Sequence, residues 1–215
     1  MALRVFGLTG GIGSGKSAVA CRLRARGLPV VNADELARIA VQPGSDGLAR
    51  VIEYFGPDIV NAAGELDRPR LGGIVFSDTE ARRTLDAIVH PAVRGLATDR
   101  FAQLAEHGEP LAGYEVPLLY EVGLERTYTP VVVVNAPDAL RRTRLAARDG
   151  LDANQIQARI AAQMPLAEKV RRADYVIEND ASFALLEERS DAVFDALCQT
   201  LGIDPTRYPA KGTLS

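Results

Sequence analysis

Gly10-Gly11-Ile12-Gly13-Ser14-Gly15-Lys16-Ser17 matches the phosphate-loop pattern G-x-x-x-x-G-K-[ST] without a gap. The flanking residues supply the setting that the pattern needs. Arg4-Val5-Phe6-Gly7-Leu8-Thr9 reads as a short buried strand, and residues 17–26 read as a helix that starts where the loop ends. Glycines let the backbone curl so that successive N–H groups point inward, and the helix N-terminus adds partial positive charge. In that arrangement Lys16 reaches the β- and γ-phosphates of a nucleotide and the Ser17 hydroxyl ligates Mg²⁺. A turn that merely joined strand to helix would need neither the lysine nor the serine.

The rest of the chain extends this strand–loop–helix start. Apolar runs at residues 5–8, 29–32, 111–116, 131–135 and 175–178 alternate with helical patterns, the signature of βα units and a parallel sheet. Val131-Val132-Val133-Val134 suits a strand covered on both faces. Crossover helices are expected at 17–26, 91–107 and 183–201. The reading is therefore α/β: a P-loop NTPase-type three-layer fold with a five-stranded parallel sheet, in a single domain over residues 1–215. The net charge of −3 gives no basic excess for nucleic acid. No stretch approaches the roughly 18 apolar residues of a membrane span, and five glycines before Lys16 break the N-terminal run that a signal peptide would need. Cys21 and Cys198 lack metal-type spacing and read as buried small hydrophobes in a reducing compartment. A cytoplasmic protein with no obligate protein partner is expected. The tail from Asp204, with Pro205 and Pro209, is expected to be partly disordered.

Two insertions interrupt the βα rhythm. Residues 35–90 lack a central strand and show helical patterns broken at Gln42-Pro43-Gly44, Phe55-Gly56-Pro57 and Asn61-Ala62-Ala63-Gly64. Residues 138–172 carry seven arginines, with Asp138 as a helix N-cap after Pro137, Gly150 as the stop of that helix, and a second helix from near Asp152 to before Pro165. Two arginine-bearing helices after the fourth strand read as a lid over phosphates. Arg144 and Arg148 lie one turn apart on one face and are the pair expected to converge on the transferring phosphate.

Asp34 follows the second apolar run by two residues, at the carboxyl edge of the sheet where ligands bind. Its carboxylate suits a proton acceptor for an attacking hydroxyl, and also suits a cap for a helix starting at Glu35. His90-Pro91 reads as the junction between one helix and the next. Glu115, inside the third apolar run, and Glu121, beyond its end, are the alternatives for a second carboxylate near Mg²⁺. The loop and lid alone also suit a kinase for another nucleotide or small alcohol, such as a nucleoside monophosphate or shikimate. A nucleotide switch is disfavoured, since no guanine-reading N/T-K-x-D motif is present.

Taken together the motifs resemble the dephospho-CoA kinase family over nearly the whole chain. The pieces run in the family's order: Gly7 to Ser17; Asn32-Ala33-Asp34 with Ala37-Arg38; Pro43-Gly44; Leu66-Asp67-Arg68; His90-Pro91; Val116-Pro117-Leu118-Leu119-Tyr120-Glu121; Arg144 and Arg148-Asp149; Arg159 with Gln163; Lys169; and Ala173-Asp174-Tyr175-Val176-Ile177-Glu178-Asn179. The resemblance implies ATP and Mg²⁺ as cofactors and dephospho-CoA as acceptor. It implies Asp34 as general base, with Lys16, Arg144 and Arg148 completing the catalytic set. Nucleotide contacts fall on Gly11, Ile12, Gly13, Ser14, Gly15, Lys16, Ser17, Ala18 and Asn179, the last near adenine. Acceptor contacts fall on Asp34, Arg38, His90, Pro117 and Leu118, with residues 35–90 as the CoA-binding part. Ala18, Asn32 and Glu115 depart from the family's common residues without touching Lys16, Ser17 or Asp34.

Overall fold

The computed structural model describes residues 2–210. Strands β1 (Arg4–Gly10), β2 (Val30–Asn32), β3 (Leu111–Glu115), β4 (Val131–Asn135) and β5 (Tyr175–Glu178) form one sheet in the order β2-β3-β1-β4-β5. The pairs β1·β3, β1·β4 and β4·β5 are parallel, so every return between them needs a crossover. β1 is central and nearly all buried, with neighbours reached in opposite directions along the sheet. Its carboxyl end is thus the switch point at which an open parallel sheet forms a ligand crevice. The phosphate loop leaves β1 there.

The helices are α1 (Lys16–Ala25), α2 (Ala33–Ile39), α3 (Asp46–Phe55), α4 (Arg68–Ser77), α5 (Thr79–Glu106), α6 (Asp138–Asp149), α7 (Ala153–Ala161), α8 (Leu166–Arg172) and α9 (Phe183–Leu201). The chain divides into a smaller compact unit, Asn32–Gln103, and a larger one made of the described residues on either side of it. The smaller unit is wider than the expected 35–90 insertion because α5 carries it on to Gln103. It is helical, with one isolated antiparallel bridge between Val60 and Leu66. It has its own core of Val41, Leu48, Val51, Ile59, Leu71 and Ile88.

In the larger unit, α1 and α9 cover the sheet. Phe6, Leu8, Val19, Leu23, Val132, Val134, Ile177, Leu186, Phe194 and Leu197 share one core. Arg22 and Arg26 on α1 are buried, an arrangement that needs partners, and α9 supplies them. Arg22 pairs with Asp191 at 2.6 Å, and Arg26 pairs with Asp195 at 2.5 Å while lying over the Phe194 ring.

Several expectations are corrected. His90-Pro91 is no junction: α5 runs straight through, with Pro91 inside it. Proline forfeits one rung of the helix and disfavours, without forbidding, helical geometry in the residue before it. A helix of 28 residues absorbs that loss. Cys198 is buried, but Cys21 is exposed, because the buried face of α1 carries Val19, Ala20, Arg22 and Leu23. The short helix α8 adds a third helix to residues 138–172, where two were expected.

Of the tail expected to be partly disordered, residues 204–210 pack on the larger unit, and residues 211–215 lie outside the described part. Pro205–Arg207 form a 3₁₀ turn, and Tyr208 is buried against Phe194 with its ring edge-on. The Tyr208 carbonyl accepts from Arg26 Nε at 2.9 Å and its hydroxyl donates to Glu109. Burial, with Glu109 alongside, pushes the phenol up to about 12. Tyr208→Ala is expected to lose about 3–5 kcal/mol, the usual cost of emptying an aromatic core site. Denaturant unfolding measures it, and a loss below about 1 kcal/mol would show the tail to be incidental.

Candidate active site

The loop is set by local backbone chemistry. Gly15 has φ of 92°, left-handed geometry that glycine adopts without strain, and it opens α1 at Lys16. A Cβ at Gly15 would also collide with the Asn179 carboxamide. Gly15→Ala is therefore expected to weaken ATP binding by at least about tenfold and to lower the melting temperature, since both strain and clash oppose it. Calorimetric titration with ATP together with a melting curve checks this; unchanged values in both would mean that the loop tolerates the strain.

Charge is held on the loop by a residue about a hundred positions away. Glu115 ends β3 with no exposed surface, and Lys16 Nζ donates to its Oε1 at 2.5 Å. Arg24 approaches Oε2 at 3.4 Å and Ser17 Oγ lies 3.4 Å from Oε1. A buried carboxylate is costly unless paired and hydrogen-bonded, and these groups pair it. Glu121 is engaged elsewhere: it accepts from Lys169 Nζ and from the Met164 backbone N–H, each at 2.9 Å. Of the two alternatives, Glu115 is the one beside Ser17. The pair is a hard-oxygen donor set that fits a divalent cation keeping several waters. Among the described residues no group of three or more His, Cys, Asp or Glu side chains could hold a metal.

The arginines of residues 138–172 separate by what they touch. Arg144 reaches the loop, donating to the Gly13 carbonyl at 3.4 Å and to Asn179 Oδ1 at 3.1 Å. Asn179 in turn donates to the Ser14 carbonyl at 2.7 Å, so the end of β5, α6 and the loop meet at one carboxamide. Arg148 does not join Arg144 here: its guanidinium grips Asp149 at 2.7 and 2.9 Å and stays exposed. The guanidinium that does join Arg144 is Arg141, three residues earlier. It is buried, its Nε donates to the Ile12 carbonyl at 3.0 Å, and burial lowers its proton affinity. Arg141 is one of the seven arginines of residues 138–172. Its i,i+3 spacing to Arg144 was the available signal.

Lys169 on α8 is fully buried, donating to the Pro117 carbonyl as well as to Glu121. Burial pushes its ammonium below the ordinary lysine range, while Glu121 pulls it back up. Pro117 also accepts from Thr9 Oγ1 at 3.1 Å, and Leu118 beside it is exposed. Ala18 lies in the first turn of α1, where it is half-buried.

In the smaller unit, Asp34 sits in the first turn of α2 but is not its cap. Asn32 is: its side chain accepts from the Asp34 and Glu35 N–H groups at 2.8 and 3.2 Å. This corrects the capping alternative and accounts for asparagine at position 32, because a neutral amide caps as well as a carboxylate. The Asp34 carboxylate is exposed, with no side-chain hydrogen bond among the described residues. Arg38 lies one turn on and is exposed too. His90 is exposed on α5 with Asp86 at 3.8 Å.

Comparison with known proteins adds an independent line. The family model described as dephospho-CoA kinase matches residues 4–184. A dephospho-CoA kinase of Anaeromyxobacter dehalogenans is 52% identical over 189 residues, covering 88% of this chain and 90% of that protein. Among solved structures, the Thermus thermophilus protein TT1252 superposes with a TM-score of 0.78 at 41% identity, covering 92% of this chain and 99% of that one. Dephospho-CoA kinase from Campylobacter jejuni gives 0.70 at 26% identity, covering 92% and 98%.

Proposed function

The chain belongs to the dephospho-CoA kinase family, and on that premise we propose how its residues divide the work of the reaction. The reaction is ATP-dependent phosphorylation of the ribose 3′-hydroxyl of dephospho-CoA, giving coenzyme A and ADP, the last step of coenzyme A biosynthesis. The observation that carries the reading is the phosphate loop at the switch point of the sheet, with Lys16 and Ser17 both at a buried carboxylate.

Transfer is direct and in line. Asp34 accepts the proton of the 3′-hydroxyl as its oxygen bonds to the γ-phosphorus, and the bond from that phosphorus to the β–γ bridging oxygen breaks to leave ADP. Apart from the Ile12 N–H, which bonds to Gln163, the backbone of Gly11 to Ser17 holds the triphosphate, and Asn179 keeps the loop in shape through Ser14. Lys16 leaves Glu115 for the phosphates, and with Arg144 stabilises charge on the migrating group. Arg148 joins them only by exchanging Asp149 for phosphate. Ser17 and Glu115 would hold Mg²⁺, Glu115 directly or through water, and the ion would supply positive charge to offset that of the triphosphate. The smaller unit, with Arg38 and His90, binds the acceptor, aided by Pro117 and Leu118.

Lid motion excludes water from the loop. Among the described residues no helix is long and apolar enough to cross a membrane. We place the reaction in the cytoplasm, with no further protein partner required. A coupled assay with ATP against dephospho-CoA, AMP, CMP and shikimate tests the reading. Turnover with dephospho-CoA alone is expected; preference for any other acceptor would overturn it.

A further inference from the structure

We propose that Gln163 is a positioning residue for phosphoryl transfer, fixing the Ile12 peptide of the phosphate loop from one side while Arg141 fixes it from the other. The proposal rests on the kinase reading above and adds to it a residue that acts through the loop.

Both polar groups of Ile12 are taken by side chains from the lid. The Ile12 N–H donates to Gln163 Oε1 at 2.8 Å, and the Ile12 carbonyl accepts from Arg141 Nε at 3.0 Å. Inward N–H groups of a phosphate loop are normally reserved for the ligand. Here one is assigned to the protein itself, and its place in the loop says why. Ile12 lies four residues ahead of Lys16, where α1 begins, so it belongs to the end of the loop away from the helix N-terminus. The inner phosphates are cradled near that helix end. Ile12 walls the part of the loop next to the phosphate being transferred, where small displacements cost rate more than affinity.

Gln163 is itself on a fixed perch. It lies between α7 and α8; the next residue, Met164, gives its N–H to Glu121, which also binds Lys169. Lys169 ties that cluster to the Pro117 carbonyl, and Thr9 at the end of β1 donates to the same carbonyl. A glutamine on an ordinary lid surface would bond mainly to water. The residue type also matters. A carboxamide oxygen accepts from the N–H without bringing negative charge towards a triphosphate, which a glutamate would do.

Two variants of the full chain test this: Gln163→Met, of similar length but without the acceptor, and Gln163→Glu, which keeps the acceptor and adds charge. We expect Gln163→Met to lower kcat by roughly tenfold, with ADP affinity and melting temperature unchanged. Gln163→Glu should recover part of that kcat while raising the KM for ATP. Wild-type kcat in Gln163→Met overturns the proposal. So does a kcat loss matched by falls in melting temperature and ADP affinity, which would make the role merely structural. Tighter ADP binding would make the side chain a plug, and Gln163→Glu no better than Gln163→Met in kcat would remove the acceptor's part. Wild-type protein that transfers nothing to dephospho-CoA sinks the kinase reading and this proposal together; an active wild type confines any failure to Gln163.

Discussion

Asp34→Asn is expected to bind ATP as the wild type does and to lose about 10²–10⁴-fold in turnover, the usual contribution of a positioned general base. The substitution is nearly isosteric, and it spares α2. The cap of that helix is Asn32, whose side chain takes the first N–H groups, so the Asp34 carboxylate carries no structural bond among the described residues. ATP binding depends on the loop, which the substitution leaves alone. A fall in kcat with unchanged melting temperature and ATP affinity is thus the signature of lost proton acceptance. The coupled assay and a calorimetric titration measure the two halves. Near-normal turnover would remove Asp34 from the base role and return it to the surface of α2.

Lys16→Met should damage the protein twice. Loss of the cation that meets the β- and γ-phosphates is expected to lower kcat by about 10²–10³-fold. In this chain the same ammonium also compensates Glu115, which is fully buried. Removing the shortest ion pair of a buried carboxylate costs about 3–5 kcal/mol, so the variant is expected to melt well below the wild type. Lys16→Met combined with Glu115→Gln separates the effects, since a neutral amide at position 115 no longer needs the ammonium. Melting temperature should recover in the double variant while activity does not. A single variant as stable as the wild type would show that the pair in the free protein is energetically idle. Recovery of activity in the double variant would show that Lys16 is dispensable for transfer.

The parts that were legible in the sequence are those whose chemistry is contiguous. Val131–Asn135 was bounded to the residue because β-branched runs buried on both faces have few other homes. The end of α6 was set by a local signal, the left-handed Gly150 after its last residue; Asp138 is the first helical residue and not the expected cap, because Pro137 holds the cap position without a side-chain bond. Asp152 and Gln155 close a capping box at the start of α7. Pro91 misled for the same reason: it is a strong local signal, and the rest of a long helix outweighed it. Cys21 misled because one cysteine shows no periodicity of its own; its exposure follows from which face of α1 meets the sheet. The packing of Tyr208 was not legible because the groove that accepts it is made by α1 and α9, far away in the sequence.

By itself the sequence determined the phosphate loop, the five strands and the helices beside them, because a glycine's φ, a buried strand's apolar run and a helix's end signals are all written within a few neighbouring residues. Its motifs also carried the family. Only the tertiary structure decided what the charges near the loop do. It gave Lys16 to Glu115, sent Glu121 to Lys169, parted Arg148 from Arg144, and put Arg141 and Gln163 on the two sides of Ile12. Those partners lie from 48 to 151 residues apart along the chain except where a local pair competes, as Asp149 does for Arg148. Electrostatic pairing depends on distance and burial, and no spacing rule along the chain encodes either one.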